Sequence, residues 1–132
     1  MADPKADVAL SDLQIAVMRV LWEHGERSVT DVAATLGEER GLKYTTVATL
    51  LTRLEKRGVV RPRREGRQLV YRALVSEPQV RRSMVAELID SLFGGNAQEL
   101  VAHLVSESEI ARGDLERARK RLGKPSRRGG KS

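Results

Sequence analysis

Along residues 11–24 the apolar side chains fall at helical spacing on two faces. Leu13, Ala16, Val17, Val20 and Leu21 form one, and Ile15, Met18 and Trp22 form the other. Ser11 followed by Gln14 has the capping-box pattern and Gly25 supplies a stop, which predicts a helix from about Asp12 to His24 packed against two neighbours. A second helix, capped by Ser28 or Thr30, runs through Val32, Ala33 and Leu36 before Gly37 and Gly41 loosen the chain. The next segment, KYTTVATLLTRLEKRG from Lys43 to Gly58, is rich in Thr and Val, whose propensity is for strands. Spacing overrides propensity here. Val47, Leu50, Leu51 and Leu54 sit at i, i+3, i+4 and i+7, no Gly or Pro interrupts Tyr44 to Arg57, and Gly58 stands where a left-handed C-terminal cap belongs.

After this third helix the pattern changes to two short strands, VVRPRREGRQLVYRAL from Val59 to Leu74, joined around Glu65-Gly66. Pro62 cannot donate to a ladder, so its strand is expected at an edge. Ser76 and Gln79 repeat the capping-box pattern, with Pro78 in the first turn, and begin a helix with Val80, Met84, Val85, Leu88, Ile89 and Leu92 as its apolar positions. Phe93-Gly94-Gly95 stops it. A shorter helix carries Leu100, Val101, Leu104 and Val105, a last one spans about Arg112 to Leu122, and GKPSRRGGKS at the end reads as disordered. The expected class is mainly α with a small β wing. Its parts are a flexible start (1–10), a three-helix-plus-hairpin domain (11–75), a helical dimerisation region (76–122) and a basic tail (123–132).

The polar side of the third helix raises the question of function. Opposite the apolar stripe stand Thr45, Thr49, Thr52 and Lys56, flanked by Thr46 and Arg53 on one side and Ala48 on the other. A merely solvated helix face favours Glu, Lys, Gln and Arg, which cost less helix propensity than Thr. Short hydroxyl side chains with few long cations instead let a helix backbone come close to a hydrogen-bonding surface. The chain's formal charge is +6, yet from Lys43 to Arg72 nine Lys and Arg stand against Glu55 and Glu65, a local excess of +7. Arg61, Arg63, Arg64 and Arg67 concentrate at the hairpin. Such a block points to a polyanion, and to nucleic acid rather than membrane because no amphipathic Trp/Phe/Leu face accompanies it. The bland alternative is a basic surface that serves solubility.

Cysteine is absent, which excludes disulfides, thiolate metal sites and cysteine nucleophiles. His24, expected to cap the first helix, and His103, beside an apolar stripe, form no metal or catalytic set, so neither an enzyme nor a bound cofactor is expected. Trp22 is expected in the core. MADPKAD has no apolar run typical of a signal peptide and no stretch of about 18 apolar residues occurs, which implies a cytoplasmic protein without a membrane partner. Residues 76–122 are too few to bury a sufficient core alone, so their stripes need either a second copy of the chain or the N-terminal domain.

Three helices followed by a basic two-stranded hairpin is the order of a winged helix-turn-helix, in which the third helix enters the major groove and the wing follows the backbone. At the same residues the sequence resembles the BlaI/MecI/CopY family of bacterial transcriptional repressors, those controlling β-lactamase and copper-homeostasis genes. The matching features begin with Leu10, Met18 and Leu21-Trp22 in the first helix. The third helix contributes Tyr44-Thr45-Thr46-Val47, Thr49, Arg53-Leu54 and Lys56-Arg57-Gly58; the wing adds Gly66-Arg67 with Tyr71, and Phe93-Gly94-Gly95 with Leu100-Val101 follow. The resemblance spans about Leu10 to Leu122.

It implies a homodimeric repressor on a palindromic double-stranded DNA operator. Thr45, Thr46, Ala48 and Thr49 would meet base edges, and Lys43, Tyr44 and Thr52 are also expected to bind DNA. Arg53, Lys56, Arg63, Arg64 and Arg67 would meet phosphates, while Val80, Met84, Val85, Leu88, Ile89, Leu92, Leu100, Val101 and Leu104 would hold the dimer. Copper-responsive members carry C-terminal cysteines that this chain lacks. The β-lactamase repressors are cut at an Asn-Phe bond where this chain has His103-Leu104, which leaves a regulatory protease open as a partner. Two rivals from other classes stand beside this reading: a winged-helix module whose basic wing binds an acidic protein, and a non-specific architectural DNA binder.

Overall fold

In the computed structural model, which describes residues 8–107 and 112–123, the chain order is α1 (Asp12–His24), β1 (Arg27–Ser28), α2 (Val29–Arg40), α3 (Tyr44–Lys56), β2 (Val60–Glu65), β3 (Gln68–Ala73), α4 (Glu77–Phe93), α5 (Ala97–Glu107) and α6 (Arg112–Gly123). Residues 1–7 of the expected flexible start (1–10) and residues 124–132 of the expected tail (123–132) lie outside that description. The class is as the sequence predicts, mostly helical with a small antiparallel sheet. The described residues divide into two units, one ending at Glu87 and one beginning at Leu88.

In the first unit α1 begins with both halves of its capping box: Gln14 N–H donates to Ser11 Oγ and Ser11 N–H to Gln14 Oε1. Ala16, Val17, Met18, Val20 and Leu21 are buried, so the helix uses both apolar faces, although Leu13 turns out to solvent. Ser28, not Thr30, caps α2, its Oγ accepting from Asp31 N–H at 3.1 Å. Val32 and Leu36 of α2 and Val47, Leu51 and Leu54 of α3 close over Met18 and Val17 in one core. Trp22 packs at its margin and its indole N–H donates to the Val75 carbonyl at 2.9 Å, satisfying the polar end of a mostly apolar ring.

Two parts of this unit differ from expectation. Val8 and Leu10, assigned to a flexible start, are buried; Val8 N–H donates to Ser83 Oγ at 3.2 Å and the Arg57 guanidinium to the Ala9 carbonyl. Residues 8–10 are thereby tied to α3 and α4. Val80, assigned to dimerisation, is only 3% exposed in this same core, with Met84 packed against it. The capping box at Ser76 and Gln79 forms as predicted.

The sheet has three strands, not two, in the order β1-β3-β2. Two residues are too short for alternation to reveal, so β1 is defined only by its partner: Arg27 lies opposite Tyr71 and Ser28 opposite Val70. β2 and β3 run in register from Val60 opposite Ala73 to Glu65 opposite Gln68, leaving Gly66-Arg67 as a two-residue loop. Gly66 has φ 64°, a conformation that favours glycine. Pro62 lies on β2, an edge strand, as its missing N–H requires.

A side-chain strap crosses this sheet. Just before β1, Glu26 accepts two hydrogen bonds from Arg63 on β2, at 2.8 Å from Nε and 2.7 Å from Nη2, bridging the two strands that flank β3. These bonds hold the Glu26 carboxyl below its ordinary range; partial burial opposes the shift, and the Arg63 and Arg72 charges reinforce it.

The second unit contains the end of α4, α5 and α6. Asn96 opens α5, its Oδ1 accepting from Glu99 N–H at 3.1 Å, and the Phe93 and His103 rings lie tilted at 6.2 Å between centroids. None of its described residues is buried.

Two measurements check this account. Leu51→Ala, which empties a fully buried site between α3 and the core, should lower unfolding free energy by about 2–5 kcal/mol in chemical denaturation. Because the folded-state pKa of Glu26 is lowered, its contribution is present above the ordinary carboxylate value of 4.5 and disappears as pH falls through the lower folded value. Wild type should therefore melt above Glu26→Gln at pH 7, and the two should converge in acid.

Candidate nucleic-acid interface

α3 places its side chains by rotation alone. With Val47, Leu50, Leu51 and Leu54 buried, the opposite face turns outward: Lys43, Thr45, Thr49, Thr52, Arg53 and Lys56 are exposed, and Thr46 and Ala48 half-exposed beside them. Tyr44 is 54% exposed at the helix start. The sequence-predicted base-edge residues thus share one accessible surface. Thr52 is qualified within it, since its hydroxyl donates to the Ala48 carbonyl at 3.0 Å and so keeps only its acceptor side for another molecule. Lys43, at the N-cap, makes no side-chain capping bond, and the first-turn N–H groups are not capped from that position.

Both ends of the helix are fixed to the scaffold. At its C-terminus Gly58 N–H donates to the Glu55 carbonyl and Val59 N–H to the Leu54 carbonyl, the paired bonds of a Schellman motif, with Gly58 at φ 79°. This turn leads into β2. Buried Tyr71 on β3 is held above its ordinary pKa chiefly by burial and then by the neighbouring Glu55 carboxylate, which puts a wing strand against the C-terminal part of α3. Arg57 is drawn away to the Ala9 carbonyl.

The wing cations are not equivalent. Arg61 and Arg72 are directly opposite on the paired strands, an unfavourable like-charge neighbour pair unless an anion lies near. Arg64 and Arg67, at the tip, are exposed and make no ion pair among the described residues. Arg63, grouped by sequence with the phosphate contacts, is engaged by Glu26 and, at 3.4 Å, by Glu65.

Of the residues expected to hold a dimer, Val85, Leu88, Leu92, Val101 and Leu104 are exposed and Ile89 and Leu100 half-buried. Val80 is spent on the monomer core, for α4 enters the first unit with its opening turns. Sequence reasoning missed Glu26 and the Arg57–Ala9 tie. Their partners lie 37 and 48 residues away, and no local pattern marks either one.

Among the described residues no group of three or more His, Cys, Asp or Glu could hold a metal ion, and no helix is long and apolar enough to cross a membrane.

Comparison with known proteins agrees with this geometry. The family model of the penicillinase repressor matches residues 10–124. The methicillin resistance regulatory protein MecI of Mammaliicoccus sciuri is 24% identical over 115 residues, covering 87% of this chain and 94% of that protein. The penicillinase repressor of Bacillus licheniformis is 24% identical over 102 residues, covering 77% and 80% respectively. The solution structure of the DNA-binding domain of the repressor BlaI superposes with a TM-score of 0.52 at 31% identity, covering 57% of this chain and 92% of that one. A winged helix with an exposed hydroxyl-and-cation face, matched over nearly its whole length by one family, makes this chain a member of the penicillinase repressor (BlaI/MecI) family of DNA-binding transcriptional repressors, which are not enzymes.

Proposed function

We propose that this repressor works as a homodimer on a palindromic operator, with α3 in the major groove and the wing along the backbone. The observation that carries the reading is the single exposed surface on which Thr45, Thr46, Ala48 and Thr49 precede Arg53 and Lys56. Threonine hydroxyls donate or accept at base edges, and the methyls of Ala48 and the threonines suit a thymine methyl. The first-turn N–H groups, uncapped by Lys43, favour a nearby phosphate. Arg53, Lys56, Arg64 and Arg67 supply charge that sets register and affinity without reading sequence.

The dimer rests on the apolar side chains of the second unit. Leu92 is 68% exposed and Val101 47%, in a unit without a buried described residue. A two-fold pairing covers such surface most economically and brings two copies of α3 to two half-sites. A repressor of this kind acts in the compartment of the chromosome, the bacterial cytoplasm.

An electrophoretic shift against the DNA flanking its own gene, with excess unrelated competitor, tests the reading. Retention in competitor supports it; no shift turns the assignment toward an acidic protein partner, and loss to any competitor toward architectural binding. Arg64→Ala and Arg67→Ala should weaken binding to all sequences alike, whereas Thr49→Val should change the preferred sequence. With about four phosphates neutralised per protomer, log K should fall with log salt at a slope of about −7. Leu88→Asp should yield a monomer in light scattering and abolish operator binding; a persisting dimer would move the interface elsewhere.

A further inference from the structure

The two-oxygen fork between Glu26 and Arg63 divides the wing's cations into two kinds. We propose that Glu26 is a positioning residue for duplex binding: it withdraws Arg63 from phosphate contact, uses it to fix the wing's edge strand, and leaves Arg64 and Arg67 to meet the backbone. The inference rests on the DNA-contacting reading of the wing.

Three observations on the strap carry it. Beside a longer contact to Glu65, two guanidinium bonds end on the Glu26 carboxylate, at 2.8 and 2.7 Å, so the two planar groups meet edge to edge and a phosphate would have to displace both bonds at once. The strap also crosses a strand. Ser28, Val70 and Arg63 form one row across β1, β3 and β2, and in that row Val70 is only 6% exposed although it stands outside the main core. Arg63 thus stands beside an apolar side chain on the same face of the sheet, and its charge meets Glu26 in the link between α1 and α2. Finally, Glu26 follows Gly25, whose φ of 80° turns the chain out of α1, and precedes the residues that pair with β3 and cap α2. One carboxylate therefore ties the wing's edge strand to the link between α1 and α2, so this side of the wing is fixed to the helical scaffold before any duplex arrives. Preorganisation of this kind reduces the ordering that binding would otherwise require.

The consequence is a cation that does not count. Counterion release reports only phosphates neutralised, at about 0.9 in slope per contact. The test uses the full chain and fluorescence anisotropy with a mixed-sequence duplex across a salt series. Arg64→Ala should flatten the slope by about 0.9 per protomer, and Arg63→Ala should leave it unchanged while weakening affinity several-fold. Glu26→Gln should steepen the slope, by up to about 0.9 per protomer, as Arg63 is released to the backbone, and adding Arg63→Ala should restore the wild-type slope. Equal flattening by Arg63→Ala and Arg64→Ala, or an unchanged slope in Glu26→Gln, overturns the proposal. The Arg63 Nε–H resonance, followed by NMR without DNA, should move in Glu26→Gln; if it stays, the strap does not exist in solution and the proposal fails on that ground. Absence of any duplex binding by the wild-type chain is a different failure, that of the interface reading itself.

Discussion

The outward hydroxyl face of α3 depends on one apolar stripe. Val47, Leu51 and Leu54 are fully buried and Leu50 nearly so, and a helix cannot turn without withdrawing all four from the core at once. Each such side chain contributes about 1.5–3 kcal/mol on burial, several times the stability that any single surface contact would offer for a different rotation. The hydroxyl face is exposed because the aliphatic face is not free to move. Thr residues that weaken helix propensity persist there since packing, not propensity, holds the helix.

Orientation at the ends follows from backbone chemistry. The Schellman pair at Gly58 ends α3 sharply and aims the chain into β2, and Tyr71 lies near Glu55 from the neighbouring strand. Glu26 and Arg63 hold the far side of the sheet. The wing is thus joined to α3 by a backbone turn and a buried aromatic, and to the α1–α2 link by an ion pair; these differ in kind and fail under different conditions. Acid weakens only the last.

The two units divide the labour of a repressor by composition. Up to Glu87 the chain buries most of its aliphatic side chains in one core, into which even Val8, Leu10 and Val80 are drawn. From Leu88 onward the described apolar residues stay at least partly exposed, and charge is added in Arg117, Arg119, Lys120 and Arg121. Leucines and valines left uncovered in so short a segment are the surface that the proposed dimer would cover.

Helical spacing, capping residues and turn glycines were enough to place α1, α3, α4, α5 and α6 and the hairpin, because each is determined by contacts within a few residues. The orientation of α3 was equally legible, since amphipathic period and outward face are the same information. Family membership was carried by the motif from Tyr44 to Gly58 with Gly66-Arg67 and Tyr71. What local pattern does not encode is which distant groups meet. Whether Val80 serves a partner or the core, whether residues 8–10 hang free, whether a two-residue strand forms at Arg27, and whether Arg63 faces a phosphate or Glu26 were decided only when segments tens of residues apart were brought together. Their energies belong to pairs of positions, and a single position in the sequence carries only half of each.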